Sequence, residues 1–213
     1  MPPLLVLDFD GTLALADVGD VLCDRFADPS WREWARRWRR GELDLPQAQV
    51  HMWSTVRADA ATLRAAAAEV GAFRPGAEAL FEAAREGALE LVVASGGFDL
   101  YIEPLLGARM ELLAAAYYNR LEPGPEGARP RFPHAELARP PYAIDKAAVL
   151  ARHRRPGQRV AFAGDGSSDR SVIGADAELF VVRGSLLERA CNDAGAPHVS
   201  FDDFDSVARA LLG

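Results

Sequence analysis

Two carboxylates stand side by side in the run Asp8-Phe9-Asp10-Gly11-Thr12, directly after a short apolar stretch. On an extended strand end, side chains at i and i+2 point the same way. Carboxylates held that close repel, so a cation, a proton or both must accompany them. A hard Mg²⁺ ion takes oxygen ligands and suits such a place. Gly11 permits a sharp turn beyond the pair. A strand end carrying two solvated acids is the alternative that Asp8 and Asp10 alone leave open.

Three further groups could share that chemistry. Gly164-Asp165-Gly166-Ser167-Ser168-Asp169 follows another apolar run, and Asp165 and Asp169 could complete a metal's oxygen shell. Ser95-Gly96-Gly97 offers a hydroxyl and free backbone N–H groups, the makings of a phosphate cradle. Lys146 is the only lysine among 24 basic residues, all the others being arginine. A compact ammonium at that position can neutralise a phosphate and a nearby carboxylate together. Each group alone has a plainer reading: an acidic turn, a glycine turn, a surface lysine.

The elements that would position these groups are visible as apolar runs. Leu4–Leu7 reads as a buried parallel strand ending at Asp8. Residues 90–94 (ELVVA), 159–163 (RVAFA) and 178–182 (ELFVV) have the same form, and 114–118 is a candidate fifth strand. Helical patterns lie between them, including 76–86, which Pro75 opens and Gly87 closes, and 144–153. Alternating strands and helices predict an α/β fold, a three-layer Rossmann-like parallel sheet covered on both faces. In such sheets ligands bind at the carboxyl ends of the strands, where three of the four groups fall.

Residues 16–73 break the alternation. They are helical in pattern and poor in strand signals, so residues 1–15 and 74–213 are expected to form the core and 16–73 a helical cap inserted after the first strand. Trp31, Trp34 and Trp38 fall on one helical face, and Arg32, Arg36, Arg39 and Arg40 on the other. The arginines read as a solvated face or, alternatively, as a source of one side chain aimed at a substrate anion. Residues 122–142 are rich in Pro and Gly and read as a loop or irregular hairpin. Residues 202–213 read as a last helix.

Composition narrows the function. The 213 residues carry a net charge of -7, which argues against nucleic acid and anionic membranes as partners and leaves room for a small anionic ligand. Cys23 and Cys191 are far apart and read as reduced thiols of a cytoplasmic protein. No apolar stretch approaches the roughly 20 residues of a membrane span.

In their order along the chain the four groups resemble the motifs of the haloacid dehalogenase-like (HAD) phosphatases: DxDGT, then Ser, then Lys, then GDxxxD. The resemblance implies a hydrolase acting on phosphoric monoesters, with Mg²⁺ as cofactor and an aspartyl-phosphate intermediate. It implies Asp8 as nucleophile, Asp10 as general acid/base and Lys146 as charge-balancing catalytic residue. Asp8, Asp10 (through its carbonyl), Asp165 and Asp169 would make the metal site, Asp169 as a supporting acid. Thr12, Ser95, Gly96 and Lys146 would hold phosphate oxygens. The partner would be a small-molecule phosphomonoester, and the chain a monomer or homodimer.

Two branches of the family come nearer. Residues 93–99, Asn119-Arg120-Leu121, the GDGSSD loop and the cap position resemble phosphoserine phosphatase, with Asp17 where that enzyme binds the substrate amine. Its carboxylate-binding arginine, matched without gaps, falls on Met52. Asp17, His51-Met52-Trp53-Ser54, Phe132-Pro133-His134 and Phe201-Asp202-Asp203-Phe204 resemble the methionine-salvage phosphatase that acts on 2-hydroxy-3-keto-5-methylthiopentenyl-1-phosphate. That branch's cysteine-rich stretch before the motif lysine is replaced here by ARPPYA. Asp17, Met52 and Trp53 are therefore the candidate specificity residues, Met52 and Trp53 either lining an apolar pocket or serving as cap core. The methionine-salvage reading stands first and phosphoserine second. Phosphomutase and non-catalytic phosphate binder are the alternatives of another class.

Overall fold

The computed structural model describes residues 1–213. The chain opens with β1 (Leu4–Leu7), followed by a tight turn over Phe9–Leu13. Four helices come next: α1 (Val18–Phe26), α2 (Trp31–Arg39), α3 (Leu45–Trp53) and α4 (Ala60–Val70). Then follow α5 (Ala77–Arg85), β2 (Glu90–Phe98), α6 (Asp99–Leu106), β3 (Ala115–Glu122) and β4 (Arg129–Arg131). The chain ends with α7 (Lys146–His153), β5 (Val160–Gly164), β6 (Glu178–Val182), α8 (Leu186–Ala194), β7 (Val199–Phe201) and α9 (Phe204–Leu212). No helix is long and apolar enough to cross a membrane.

The seven strands form one sheet in the order β4-β3-β2-β1-β5-β6-β7, parallel except for β4. The strand order reverses at β1, with β2 on one side and β5 on the other. Its register is decisive, because Leu7 pairs with both Val93 and Ala163. One to two residues further on, Asp8, Ser95 and Asp165 emerge from three adjacent strand ends at the switch point, where α/β sheets bind ligands.

Period-2 alternation buries both faces of β1. Leu5 and Leu7 join one apolar cluster, together with Phe81 of α5 and Val207 of α9. Leu4 and Val6 join the other, with Val149 of α7 and Leu187 of α8. This is the three-layer arrangement that continuous apolar strands predict.

Helices α1 to α4 fill the stretch that lacked strand signals. Asp17 and Asp59 cap α1 and α4 by accepting from Asp20 N and Thr62 N, at 2.8 Å in each case. Leu22, Met52, Trp53 and Leu63 belong to the same apolar cluster as Leu5 and Leu7, so these helices share one core with the sheet. The Pro- and Gly-rich segment is a hairpin, β3 with β4, followed by a strap. It ties α3 at both ends, with Ala128 N donating to Trp53 O at 3.0 Å and Leu45 N to Pro141 O at 2.8 Å.

The structure departs from the sequence expectation at four elements. β2 does not stop at Ala94 but continues to Phe98, with a register break between Ala94 and Phe98 that frees the Ser95-Gly96-Gly97 backbone from a regular ladder. β4 and β7 carried no strand signal, because each is three residues long and only partly buried. The helix α8 was also not marked.

Candidate active site

Asp8 leaves β1 and is 4% exposed. Gly11, three residues on, adopts φ +72°, and a Cβ there would lie 2.5 Å from Asp165 Oδ2. The glycine is thus required both by its backbone and by the close approach of the β5 loop. Arg74 supports the same turn from behind. It is 9% exposed and donates Nε to Thr12 O at 2.9 Å and Nη2 to Gly11 O at 2.6 Å. No sequence signal marked this arginine.

Lys146 is the first residue of α7, and Asp145 caps that helix by accepting from Ala147 N at 2.9 Å. The placement sends the lysine inward, fully buried. Its Nζ lies 3.2 Å from Asp8 Oδ1 and 2.6 Å from Asp169 Oδ1, and it donates to Ser168 Oγ at 3.0 Å. Burial alone would push the ammonium down, but Asp169 and Asp8 outweigh it and hold Lys146 above the ordinary lysine range.

Asp169 is fully buried. Its Oδ1 meets Lys146, and its Oδ2 accepts from Asp165 N at 3.0 Å and Gly166 N at 2.8 Å. Both oxygens are therefore committed to holding the lysine and the loop. Thr12 stands beside the same loop. Expected to hold phosphate oxygens, it is fully buried, and its hydroxyl donates to Asp165 Oδ1 at 2.9 Å. Its visible work is to orient that carboxylate.

Asp10 lies on the other side of Asp8. Its Oδ1 accepts from Val18 N at 3.0 Å, and its Oδ2 accepts from Tyr101 Oη at 2.8 Å and from Ser95 Oγ at 3.4 Å. The Ser95 hydroxyl oxygen in turn accepts from Gly97 N at 2.9 Å. The Gly96 carbonyl is held twice, by Gln49 Nε2 at 2.8 Å and Asn119 Nδ2 at 2.9 Å. The Gly96–Gly97 peptide is thereby locked at both its polar ends. Asn119 lay in a motif whose role sequence could not give; Gln49 and Tyr101 carried no signal at all.

Carboxylates are crowded here. Burial first, then Asp169, pushes Asp8 well above the usual carboxylate range, with Lys146 opposing. Burial and Asp17 raise Asp10 to about 7, and burial and Asp169 raise Asp165 to about 7. The carboxylate oxygens of Asp8, Asp165 and Asp169 lie within 4.8 Å of one another. One ammonium does not balance this cluster, and a divalent cation would relieve it. Asp8 and Asp165 each keep a carboxylate oxygen that no protein donor reaches, so these two fit the direct-ligand role.

A cleft of about 170 Å³ opens over Asp8 and Asp10. That is below the roughly 300–1,000 Å³ typical of drug-sized ligand sites, so its occupant is small. Asp17, Met52, Trp53 and Gly96 line it, and so does Arg39. Asp17 faces the cleft with only part of its carboxylate, because Oδ1 caps α1. Met52 and Trp53 are 8% and 1% exposed, so they are core and cleft wall at once. The arginine face of α2 divides: Arg32, Arg36 and Arg40 pair with Asp24 and Glu33 at the surface. Arg39 reaches the cleft, 3.5 Å from Asp20 Oδ2.

Known proteins resemble this chain in sequence and in fold. A protein named 2-hydroxy-3-keto-5-methylthiopentenyl-1-phosphate phosphatase, from Brevibacillus brevis, is 24% identical over 214 residues, spanning 98% of this chain and 94% of its own length. A protein of the same name from Geobacillus kaustophilus is 25% identical over 221 residues, with 98% and 94% covered. A solved structure described as a phospho-aspartyl intermediate analogue of phosphoserine phosphatase superposes with a TM-score of 0.72 at 19% identity, covering 99% of both chains, which shows a common fold. The sequence pattern of the haloacid dehalogenase-like hydrolases matches residues 5–173, from the strand that delivers Asp8 to the turn that holds Asp169. With that span and the fold in agreement, the chain belongs to the haloacid dehalogenase-like hydrolases.

Proposed function

We propose that this chain is a Mg²⁺-dependent phosphomonoesterase that hydrolyses a small phosphate ester through a phosphoaspartate on Asp8. The observation that carries this reading is the convergence of Asp8, Asp10, Ser95 and Lys146 at the switch point of the sheet. Asp8 attacks phosphorus in line with the departing oxygen, forming the acyl phosphate as the ester P–O bond breaks. Asp10 gives its proton to that oxygen. Water then enters, Asp10 takes its proton, and attack on phosphorus frees phosphate and regenerates Asp8. Splitting hydrolysis this way replaces one slow step by two easier ones.

Lys146 neutralises Asp8 and the incoming phosphoryl group, and the Ser95 hydroxyl and Gly96 amide supply donors to its oxygens. Asp8, Asp165 and the Asp10 carbonyl would hold Mg²⁺, with Asp169 supporting from behind. The ion, when bound, supplies positive charge to the phosphoryl oxygens during transfer. Helices α1 to α4, within residues 16–73, act as the cap that shields the reaction from bulk water.

For the substrate, the named relatives and the apolar wall of Met52 and Trp53 support the methionine-salvage enol phosphate first. A second reading, phosphoserine, is favoured by one observation: Arg39 and Asp17 both line the cleft, a partner for an anion and a partner for a cation. A panel of phosphomonoesters ranked by kcat/KM decides between them. Faster turnover of phosphoserine than of enol and sugar phosphates would reverse the order. Phosphoryl transfer to a second sugar without phosphate accumulating would indicate a mutase.

The metal role has its own test. Excess chelator should silence phosphate release, and added Mg²⁺ should restore it. Undiminished turnover in chelator would refute the role, because the crowded carboxylates would then manage with Lys146 alone.

A further inference from the structure

We propose that Tyr101 is the positioning residue of the acid/base Asp10, an assignment that rests on the function proposed above. Tyr101 sits on α6, the helix that follows the Ser95-Gly96-Gly97 cradle, and is 1% exposed. Its ring packs in the core, 6.3 Å from the ring of Phe9. Its hydroxyl nevertheless comes through to the site, donating to Asp10 Oδ2 at 2.8 Å.

The contact is built into the backbone around it. A Cβ on Gly97 would lie 2.1 Å from Tyr101 Oη and 2.5 Å from Asp10 Oδ2. Glycine at 97 is what lets the hydroxyl and the carboxylate meet. On the other side, Val18 N fixes Oδ1. Asp10 is thus gripped at both oxygens, by groups of different kind. A backbone N–H can only donate, whereas a phenol hydroxyl donates and accepts. Tyr101 can therefore keep its contact whether Asp10 carries its proton or has given it to the leaving oxygen. Ser95 Oγ, at 3.4 Å, is too long to replace it and is turned toward the cradle by Gly97 N.

Removing the hydroxyl leaves the ring, the cradle and Asp8 in place but lets the Asp10 carboxyl rotate. The loss should then follow the leaving group. A poor leaving group needs its oxygen protonated as the P–O bond breaks, and a good one does not. The probe is a series of phenyl phosphates of near-constant size, from 4-nitrophenyl to unsubstituted phenyl phosphate, read as kcat/KM, which reports formation of the phosphoaspartate. Tyr101→Phe should lower kcat/KM on phenyl phosphate by about 10–100-fold and on 4-nitrophenyl phosphate by less than about 3-fold, as loss of general-acid assistance predicts. A second measurement separates positioning from packing. In an Asp10→Asn background, Tyr101→Phe should cost nothing further, because the tyrosine acts through Asp10.

Equal loss across the series, no loss, or full additivity in the double variant would overturn the assignment. Asp10→Asn alone tests the underlying reading. If that variant keeps the wild-type dependence on leaving group, Asp10 is not the acid and the proposed function fails with it. If its dependence on leaving group steepens while Tyr101→Phe keeps the wild-type dependence, only the tyrosine's role fails.

Discussion

Asp8→Asn should lower turnover at least about 10⁴-fold, since an amide is too weak a nucleophile to displace the leaving group. The substitution changes one atom in a residue that is 4% exposed, so the fold has no reason to move. Stability should not suffer either. Burial, then Asp169, Asp165 and Asp10, all disfavour the charge of Asp8, and only Lys146 favours it. Replacing the carboxylate by a neutral group of equal size removes more repulsion than attraction. In chelator, Asp8→Asn should therefore unfold at the same temperature as wild type or higher. A dead variant that is also destabilised would mean that the loss comes from folding, and an active one would remove Asp8 as nucleophile.

Lys146→Met should fail in both respects. The lysine is fully buried and touches two carboxylates, Asp169 at 2.6 Å and Asp8 at 3.2 Å. Methionine matches its length and removes the only cation of the cluster. Breaking a buried ion pair by deleting one partner costs about 3–5 kcal/mol, because the remaining charge stays in low dielectric. Asp169 would keep its bonds to Asp165 N and Gly166 N, but the face that meets the lysine would be bare. Stability lost on removing the lysine should be seen throughout the neutral range. The folded ammonium is held above its ordinary value, so its contribution is complete below the normal lysine pKa and fades only in strong alkali. Turnover should fall with it, for want of charge compensation beside the phosphoryl group. Denaturant unfolding and phosphate release on the same preparation check the pair of effects. A Lys146→Met protein as stable as wild type would show that the ion pair contributes little net stability.

Much of this was legible in the sequence, for physical reasons. Continuous apolar runs such as Leu4–Leu7 and VAFA over 160–163, bounded by turn residues, read as buried parallel strands, and their polar ends mark where a ligand sits. The lone lysine stood out against a background of arginine, and the structure brings it to Asp8. What could not be read was which atoms were already taken. Thr12 was expected to hold phosphate oxygens, and the sequence did not show that its hydroxyl donates to Asp165. Asp169 was expected as a supporting acid of the metal site, but the sequence did not say what it would hold: its two oxygens meet Lys146 and the loop. Tyr101, Gln49 and Arg74 act from positions that have ordinary helical or core patterns. Their roles depend on contacts of 91, 47 and 62 residues in sequence separation, which no local pattern encodes.

The covalent intermediate is the central claim, and trapping it tests that claim most directly. Wild-type protein mixed with Mg²⁺ and its best phosphomonoester should be quenched in acid within one turnover, then analysed by intact and peptide mass. The account predicts a gain of one phosphoryl group, lost on treatment with hydroxylamine, mapped to Asp8 and absent from Asp8→Asn. Rapid turnover with no phosphorylated protein, or a phosphoryl group on any residue other than Asp8, would contradict it.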